Sequence, residues 1–272
     1  MAITTSDQLV AAIGRAAKEQ IFKSNSNTKG AGYYGSTLWA SGRPGAIVTP
    51  SPGVNGAAVD GTVTAGFIPF VNAAGGNQKY LGALELFATN PGYIVLMDTL
   101  WWNSGLSVTT TTEQTLTAAA SPARDNDGSS NGNGVEAGIL VTTATTNSSA
   151  VTTITYKYTN SDGTAGLVGA LPSFPATATA GMLTPLPMNT GDKGVRSIQS
   201  ITLGTTLSGG AISLVLFRRI AGIPILLSNT GGSRNFFEVG SRLYSGSALS
   251  LTVLSSSTTT GNVFGTVSLI EG

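Results

Sequence analysis

At 272 residues, 41% of them hydrophobic, the chain can bury a sizeable core in one large all-β domain or two smaller ones. Charged residues make up only 10%, against about a quarter in most soluble proteins, and 14 Lys+Arg balance 13 Asp+Glu to leave a net charge of +1. So neutral a chain has no electrostatic footprint for nucleic acid or an anionic membrane surface. Without a single His or Cys it also lacks a triad imidazole, a thiolate nucleophile, a disulfide and a zinc site. The acids are scattered, so no catalytic residue, cofactor or metal is expected, whereas low net charge favours contact between copies. No apolar run approaches the ~18 residues of a membrane span, and the N-terminus lacks the basic start and apolar core of a signal peptide. A soluble chain made in a host cytoplasm is expected.

In chain order, residues 5–23 are the one segment with helical periodicity. Thr5 and Gln8 have capping-box spacing, and Asp7 sits where the helix dipole favours an anion. Leu9, Val10, Ile13, Ala16, Ala17 and Ile21 share one apolar face. A helix this short is marginal alone in water, so that face needs a partner, in its own domain or on a neighbour. Thr28 to Asp60 is rich in Gly, Ala and Pro and reads as an extended arm anchored by Tyr33, Tyr34 and Trp39. It contains a literal G-x-G-x-x-G, Gly30 to Gly35, but polar helix-stop residues precede it and no helix follows. The dinucleotide fingerprint needs a strand before and a helix after, so nucleotide binding is not expected.

From Gly61 onward strand signals recur. They cover Thr62–Asn72, interrupted by Pro69, then Tyr80–Thr89, and then a long run between Pro91-Gly92 and Asn103-Ser104-Gly105. That run places Tyr93, Val95, Met97, Thr99 and Trp101 on one face and Ile94, Leu96, Asp98, Leu100 and Trp102 on the other. A strand apolar on both faces must be covered on both: by a second sheet, by the chain's own arm, or by another copy. Trp101 and Trp102 point oppositely and cannot form one sugar-stacking platform, so core or interface use is expected. Asp98, the one charge in the run, calls for a structural partner, with Arg196, Arg218 or Arg219 as candidates, or for water.

Ala123–Gly134 is a long Asn/Asp/Gly loop. Counting Asp125 as the first position of a calcium loop puts Glu136 at the twelfth, but Ser130 stands where glycine belongs and no helices flank it, so a solvated turn is expected. Val135–Thr145 and Ala150–Thr159 read as a hairpin, with Thr152, Ile154, Tyr156 and Tyr158 on one face of the second arm. Ser173–Asn189 is an extended, proline-interrupted crossover. The remaining strand signals are Val195–Thr205, Ala211–Ile220, Ile223–Ser228, Phe236–Val239, Ala248–Ser255 and Asn262–Ile270. Ala211–Leu216 is apolar on both faces and so is expected beside the Tyr93 run. The pattern specifies an all-β, antiparallel, jelly-roll-like β-sandwich over 61–272, preceded by a helix and extended arm over 1–60.

Several stretches carry a resemblance: LMDTLWWNSGL (Leu96–Leu106), YTNSDGTAG (Tyr158–Gly166), GDKGVRSIQSITL (Gly191–Leu203), SGGAISLVLFRRIAGIPI (Ser208–Ile225) and the opening arm. In these the chain resembles structural proteins of tailed-bacteriophage virions. The resemblance implies a capsid-associated or accessory virion protein present in many copies, with no catalytic residues to carry over. Together with the residue-level reading it points to a capsid decoration (cement) protein, a homo-oligomer such as a trimer, on the outside of the major capsid protein shell. The expected contact residues are Leu9, Ile13, Tyr33, Tyr34 and Trp39, with Trp101 and Trp102 as further interface candidates. Deleting residues 1–40 is expected to abolish shell binding while the β body stays folded. The alternatives are a tail, collar or fibre component, though no fixed-period repeat is present; a carbohydrate-binding or adhesin module, which needs an exposed aromatic platform; and a hydrolase built on Glu113 with Asp125 or Asp127.

Overall fold

The computed structural model describes residues 3–24, 32–256 and 261–272. Gly30 and Ala31 of the glycine-rich hexapeptide lie outside the described residues. The chain opens with α1 (Ser6–Gly14), β1 (Ala17–Lys23), β2 (Tyr34–Ser36), a 3-10 turn (Thr37–Trp39), β3 (Gly42–Arg43), β4 (Ala57–Ala58), β5 (Lys79–Ala88) and β6 (Gly92–Trp102). It continues through β7 (Gln114–Ala120), β8 (Val135–Thr146), β9 (Val151–Asn160), β10 (Leu167–Phe174), β11 (Met182–Pro185) and β12 (Val195–Thr202). The final elements are β13 (Gly209–Ile225), β14 (Thr230–Asn235), α2 (Phe236–Val239), β15 (Arg242–Leu243), β16 (Leu249–Ser255) and β17 (Val263–Glu271). The ladders described below are all antiparallel, so the expected all-β antiparallel class is what the chain adopts.

Two compact units divide the chain: unit 1 holds Met1–Val48, Asp60–Asp98 and Arg219–Gly272, and unit 2 holds Thr49–Val59 and Thr99–Arg218. In unit 1 one sheet runs β14-β5-β17-β1-β3, with β15 also on β5. A second ladder joins β2, β16 and the first part of β6. Leu84 and Leu86 of β5 and Val267 and Leu269 of β17 bury themselves against Ile94 and Leu96 of β6 and Leu251 and Val253 of β16. In unit 2 the sheet β10-β9-β12-β7 contributes Ile154, Tyr156, Tyr158, Ile198 and Ile201 to a second core, and β8 and β13 contribute Val135, Ile139, Val141, Ile212, Leu214 and Leu216.

The helix expected over 5–23 stops at Gly14. Its capping box forms as read, Thr5 Oγ1 accepting from the Gln8 N–H at 3.3 Å and Gln8 Oε1 from the Thr5 N–H at 3.2 Å. Gly14 then weakens the helix by about 1 kcal/mol relative to Ala, and residues 17–23 gain a full ladder instead, from Ala17↔Leu269 to Lys23↔Val263. In that ladder Ile21 and Lys23 point inward and Gln20 and Phe22 outward. The arm is therefore no appendage over this stretch: β1 lies between β17 and β3, and Thr37 and Leu38 are buried. Deleting residues 1–40 would remove a strand of the sheet, so the expectation that the body survives that truncation does not hold.

Lys23 is 2% exposed, with Nζ donating to the Ala40 and Gly45 carbonyls at 3.3 and 3.1 Å. Desolvation lowers its pKa from 10.5 to about 8. The unfolded chain thus binds more protons than the folded one between about pH 8 and 10.5, and stability rises across that window. The gain expected in pH-dependent urea unfolding is up to about 3 kcal/mol, and Lys23→Met should flatten the rise.

Three further readings change. The segment 62–72 forms no strand: Phe67, Ile68 and Phe70 are buried, yet Pro69 interrupts the ladder and only the Ile68 N–H reaches a strand, at the Leu249 carbonyl (2.8 Å). The expected 135–159 hairpin is not one. β8 pairs with β11 and β13 while β9 pairs with β10 and β12, so residues 147–150 pass between two sheets. Both strands carry one apolar face, which fits facing layers as well as it fits neighbours in one sheet. Phe236–Val239 is a single helical turn, capped by Asn235 and by Glu238 three residues on, an N-x-x-E signal that apolar composition had masked.

Candidate interface surfaces

From Ile94 to Trp102 no residue of β6 exceeds 7% exposure. Both faces of the two-sided run are thus covered within one chain, and its apolarity does not require another copy. Trp101 is 2% exposed and belongs to the unit 2 core, and Trp102 is fully buried. A Cβ added at Gly56 would lie 2.2 Å from the Trp101 ring, so the backbone of the 53–56 turn (Gly56 N–H to the Gly53 carbonyl, 3.1 Å) sits directly on the indole. As expected, Ala211–Leu216 is the neighbour of this run: the Asn103 N–H donates to the Leu214 carbonyl at 3.1 Å, and Asn103 Oδ1 accepts from the Leu214 N–H at 2.7 Å.

The carboxylates singled out in the sequence each have local structural partners. Asp98, fully buried, accepts from Ser247 Oγ at 3.0 Å and from the Ala248 N–H at 2.8 Å. Asp125, also fully buried, accepts five hydrogen bonds at 2.7–3.1 Å: from the N–H groups of Asp127, Ser129, Gly132 and Asn133 and from Ser129 Oγ. Burial works to raise its pKa, but the Ser129 hydroxyl and these backbone donors together hold it below the usual carboxylate value. Both oxygens meet hydrogen-bond donors of the loop itself, so Asp125 organises the loop by accepting from it. Asp127 accepts from Asn133 Nδ2 at 2.8 Å. Glu113 lies 2.8 Å from Lys157 Nζ and accepts from Ser200 Oγ, and these two donors hold its pKa down. Of the arm's aromatics, Tyr33 is 40% exposed, Trp39 is half-buried, and Tyr34 lies under the Arg219 guanidinium, whose Nη1 donates to its hydroxyl at 3.1 Å.

Two apolar features of unit 1 remain at the surface. On α1 only Ala12 is buried: Leu9 is half-buried, while Ile13 is 42% and Val10 68% exposed. The other feature was not legible as a site. Register across the sheet aligns Gly231 of β14, Phe87 of β5, Phe264 of β17, Phe22 of β1 and Arg43 of β3 in one transverse row. Phe22, Phe87 and Phe264 are 47%, 46% and 41% exposed, and such a cross-strand aromatic row stabilises a sheet while presenting a greasy stripe. The Phe87 and Phe264 rings stack on one another, 5.5 Å apart and 9° from parallel. The Phe87 ring also leans over Gly231, where an added Cβ would lie 2.3 Å from it. The next row on the same face is polar, with Ser233, Glu85, Thr266 and Gln20, and Gln20 Nε2 donates to Thr266 Oγ1 at 3.2 Å.

No family model matches the chain, and no curated protein does. Among solved structures, similarity is found to infectious bursal disease virus, Gx strain, at 14% identity over 75% of this chain and 44% of that one, with a TM-score of 0.20. The Gt strain of the same virus gives 12% identity over 94% and 82% of the two chains (TM-score 0.19), and its VP2 subviral particle 10% over 94% and 79% (TM-score 0.19). The chain spans less than half the length of the first of these. Superpositions this loose carry no functional argument.

Proposed function

We propose that the chain is a non-enzymatic structural protein of a virion: a decoration protein that binds the outside of a major capsid protein shell and associates with its own copies. The observation that supports this reading best is α1, a helix with an N-terminal capping box whose Val10 and Ile13 are exposed and whose Leu9 is only half-buried. An isolated nine-residue helix is marginal in water, and laying an apolar face on a neighbour stabilises by about 25 cal/mol per Å². Repeated over a shell, modest contacts of this size add up through multivalency. The resemblance to tailed-phage virion proteins, which runs through β6, β9, β12 and β13, supplies the class of partner.

The test is a truncation that spares β1. A chain lacking residues 1–15 is expected to keep its strand circular dichroism signal and cooperative urea unfolding, losing only the α1 contribution near 222 nm, and to lose at least about tenfold in affinity for empty capsids in co-sedimentation, the loss of about 1.4 kcal/mol of contact. Unchanged binding would remove α1 from the interface. Copy number in purified virions separates shell from tail: hundreds per particle fit decoration, a dozen or fewer fit a tail or collar component.

A further inference from the structure

We infer that the phenylalanine row is an isologous interface through which two copies of this chain pair face to face about a two-fold axis. The inference rests on the proposed function only in expecting self-association, and its test uses the isolated chain, so it stands or falls apart from shell binding.

The row reads Gly231, Phe87, Phe264, Phe22, Arg43 from one side of the sheet to the other, with Phe264 at its centre. Consider a two-fold axis lying over Phe264 and parallel to the strands. It sets Phe264 on its counterpart and Phe22 on the other copy's Phe87. At each end Arg43 falls over Gly231, whose missing side chain leaves its place to the leaning Phe87 ring. Beside Gly231 lies an open hollow of about 360 Å³ lined by Glu85, Phe87, Gly231, Gly232 and Ser233. The guanidinium would enter a hollow whose one charged wall is a carboxylate.

Arg43 and Glu85 are both exposed, and neither makes an ion pair or side-chain hydrogen bond among the described residues. The same axis lays Gln20 of one copy over Glu85 of the other in the adjoining polar row, supplying a second donor. The perpendicular axis, along the row, would stack Arg43 on Arg43 and is disfavoured by like charge. An isologous contact needs this kind of self-complementarity: a central apolar group, flanking groups of matched size, and opposite charges at mirrored ends. With net charge +1 there is little global repulsion to oppose it.

Sedimentation velocity of the full chain over a concentration series is the experiment. The wild type is expected to move from monomer to dimer in the micromolar range. Phe264→Glu, which puts two carboxylates on the axis, should leave it monomeric, with circular dichroism unchanged because the site is exposed. Arg43→Glu and Glu85→Arg should each weaken pairing at least tenfold, and the double variant should recover most of it, a rescue that a merely structural role would not give. A wild type that stays monomeric at several hundred micromolar, or an oligomer indifferent to Phe264→Glu and to the charge swap, would overturn the inference.

Discussion

Trp101→Ala is expected to lower the free energy of unfolding by about 3–5 kcal/mol, seen as a fall in the urea midpoint with little change in slope. Trp101 is 2% exposed, so nearly the whole indole leaves a packed interior. What makes the loss large is that the hole cannot close. One wall is the Gly56 backbone, which has no side chain to lean inward and is tied by its N–H to the Gly53 carbonyl at 3.1 Å. The strand that follows directly, β4, is held to β6 by the register Ala57↔Trp102 and Ala58↔Trp101. Tyr33→Ala, at a 40% exposed site, is the control and should shift stability by about 0.5 kcal/mol or less. A loss below about 1 kcal/mol at Trp101 would mean that the ring is not in the core.

The second large effect is expected at Asp125. Asp125→Ala removes the common acceptor of five hydrogen bonds and leaves buried donors unpaired, at a cost of about 3–5 kcal/mol. Asp125→Asn should rescue little. An amide oxygen can serve the Asp127 and Ser129 N–H groups, but the amide nitrogen would then face the Gly132 and Asn133 N–H groups, donor against donor. The pH dependence has a definite sign. The folded pKa is depressed, so the contribution is fully present above the ordinary carboxylate value near about 4 and is lost as pH falls through the folded pKa below it. Acid unfolding curves should therefore be shallower for Asp125→Asn than for wild type. Equal acid sensitivity in the two would show that this carboxylate is not what the loop depends on.

The strands with the strongest patterns were legible from the residues alone. β5, β6, β8, β9 and β17 lie within a residue or two of where alternation and turn residues put them. β9, expected as the second arm of a hairpin, shows why a pattern is not yet a structure. Alternation holds from Ile154 to Tyr158, but Thr153 has φ +50°, and the irregularity turns Val151 rather than Thr152 into the core. Which strand pairs with which was legible only in part. β8 and β9 look like a hairpin because a one-faced strand has the same sequence whether its partner lies beside it or across the core. Helical periodicity over 5–23 failed for a similar reason: Ile21 sits on both a helical stripe and a strand face, and the ladder with β17 decided between them.

The two-sided apolarity of β6 was read correctly as burial on both faces. It was not the argument for assembly that it first resembled, because the chain covers both faces itself. The row that does reach the surface was hidden. Phe22 stood in a presumed helix and outside its apolar face, Phe87 lies between the buried Leu86 and Ala88, and Phe264 follows the buried Val263. Each alone is an unremarkable surface aromatic. Only the register of three strands distant in sequence makes them one feature.

That β1 is laid down between β17 and β3 has a consequence for biosynthesis. During translation the segment 17–23 leaves the ribosome early, yet its ladder partner, 263–271, is made more than two hundred residues later. Until then a sticky ribbon waits without a mate, and a nascent chain stalled anywhere in between exposes it to every other such chain in the cell. Messages truncated before β17 should accordingly yield inclusion bodies, and supplying the missing terminal peptide in trans should keep part of the product dispersed.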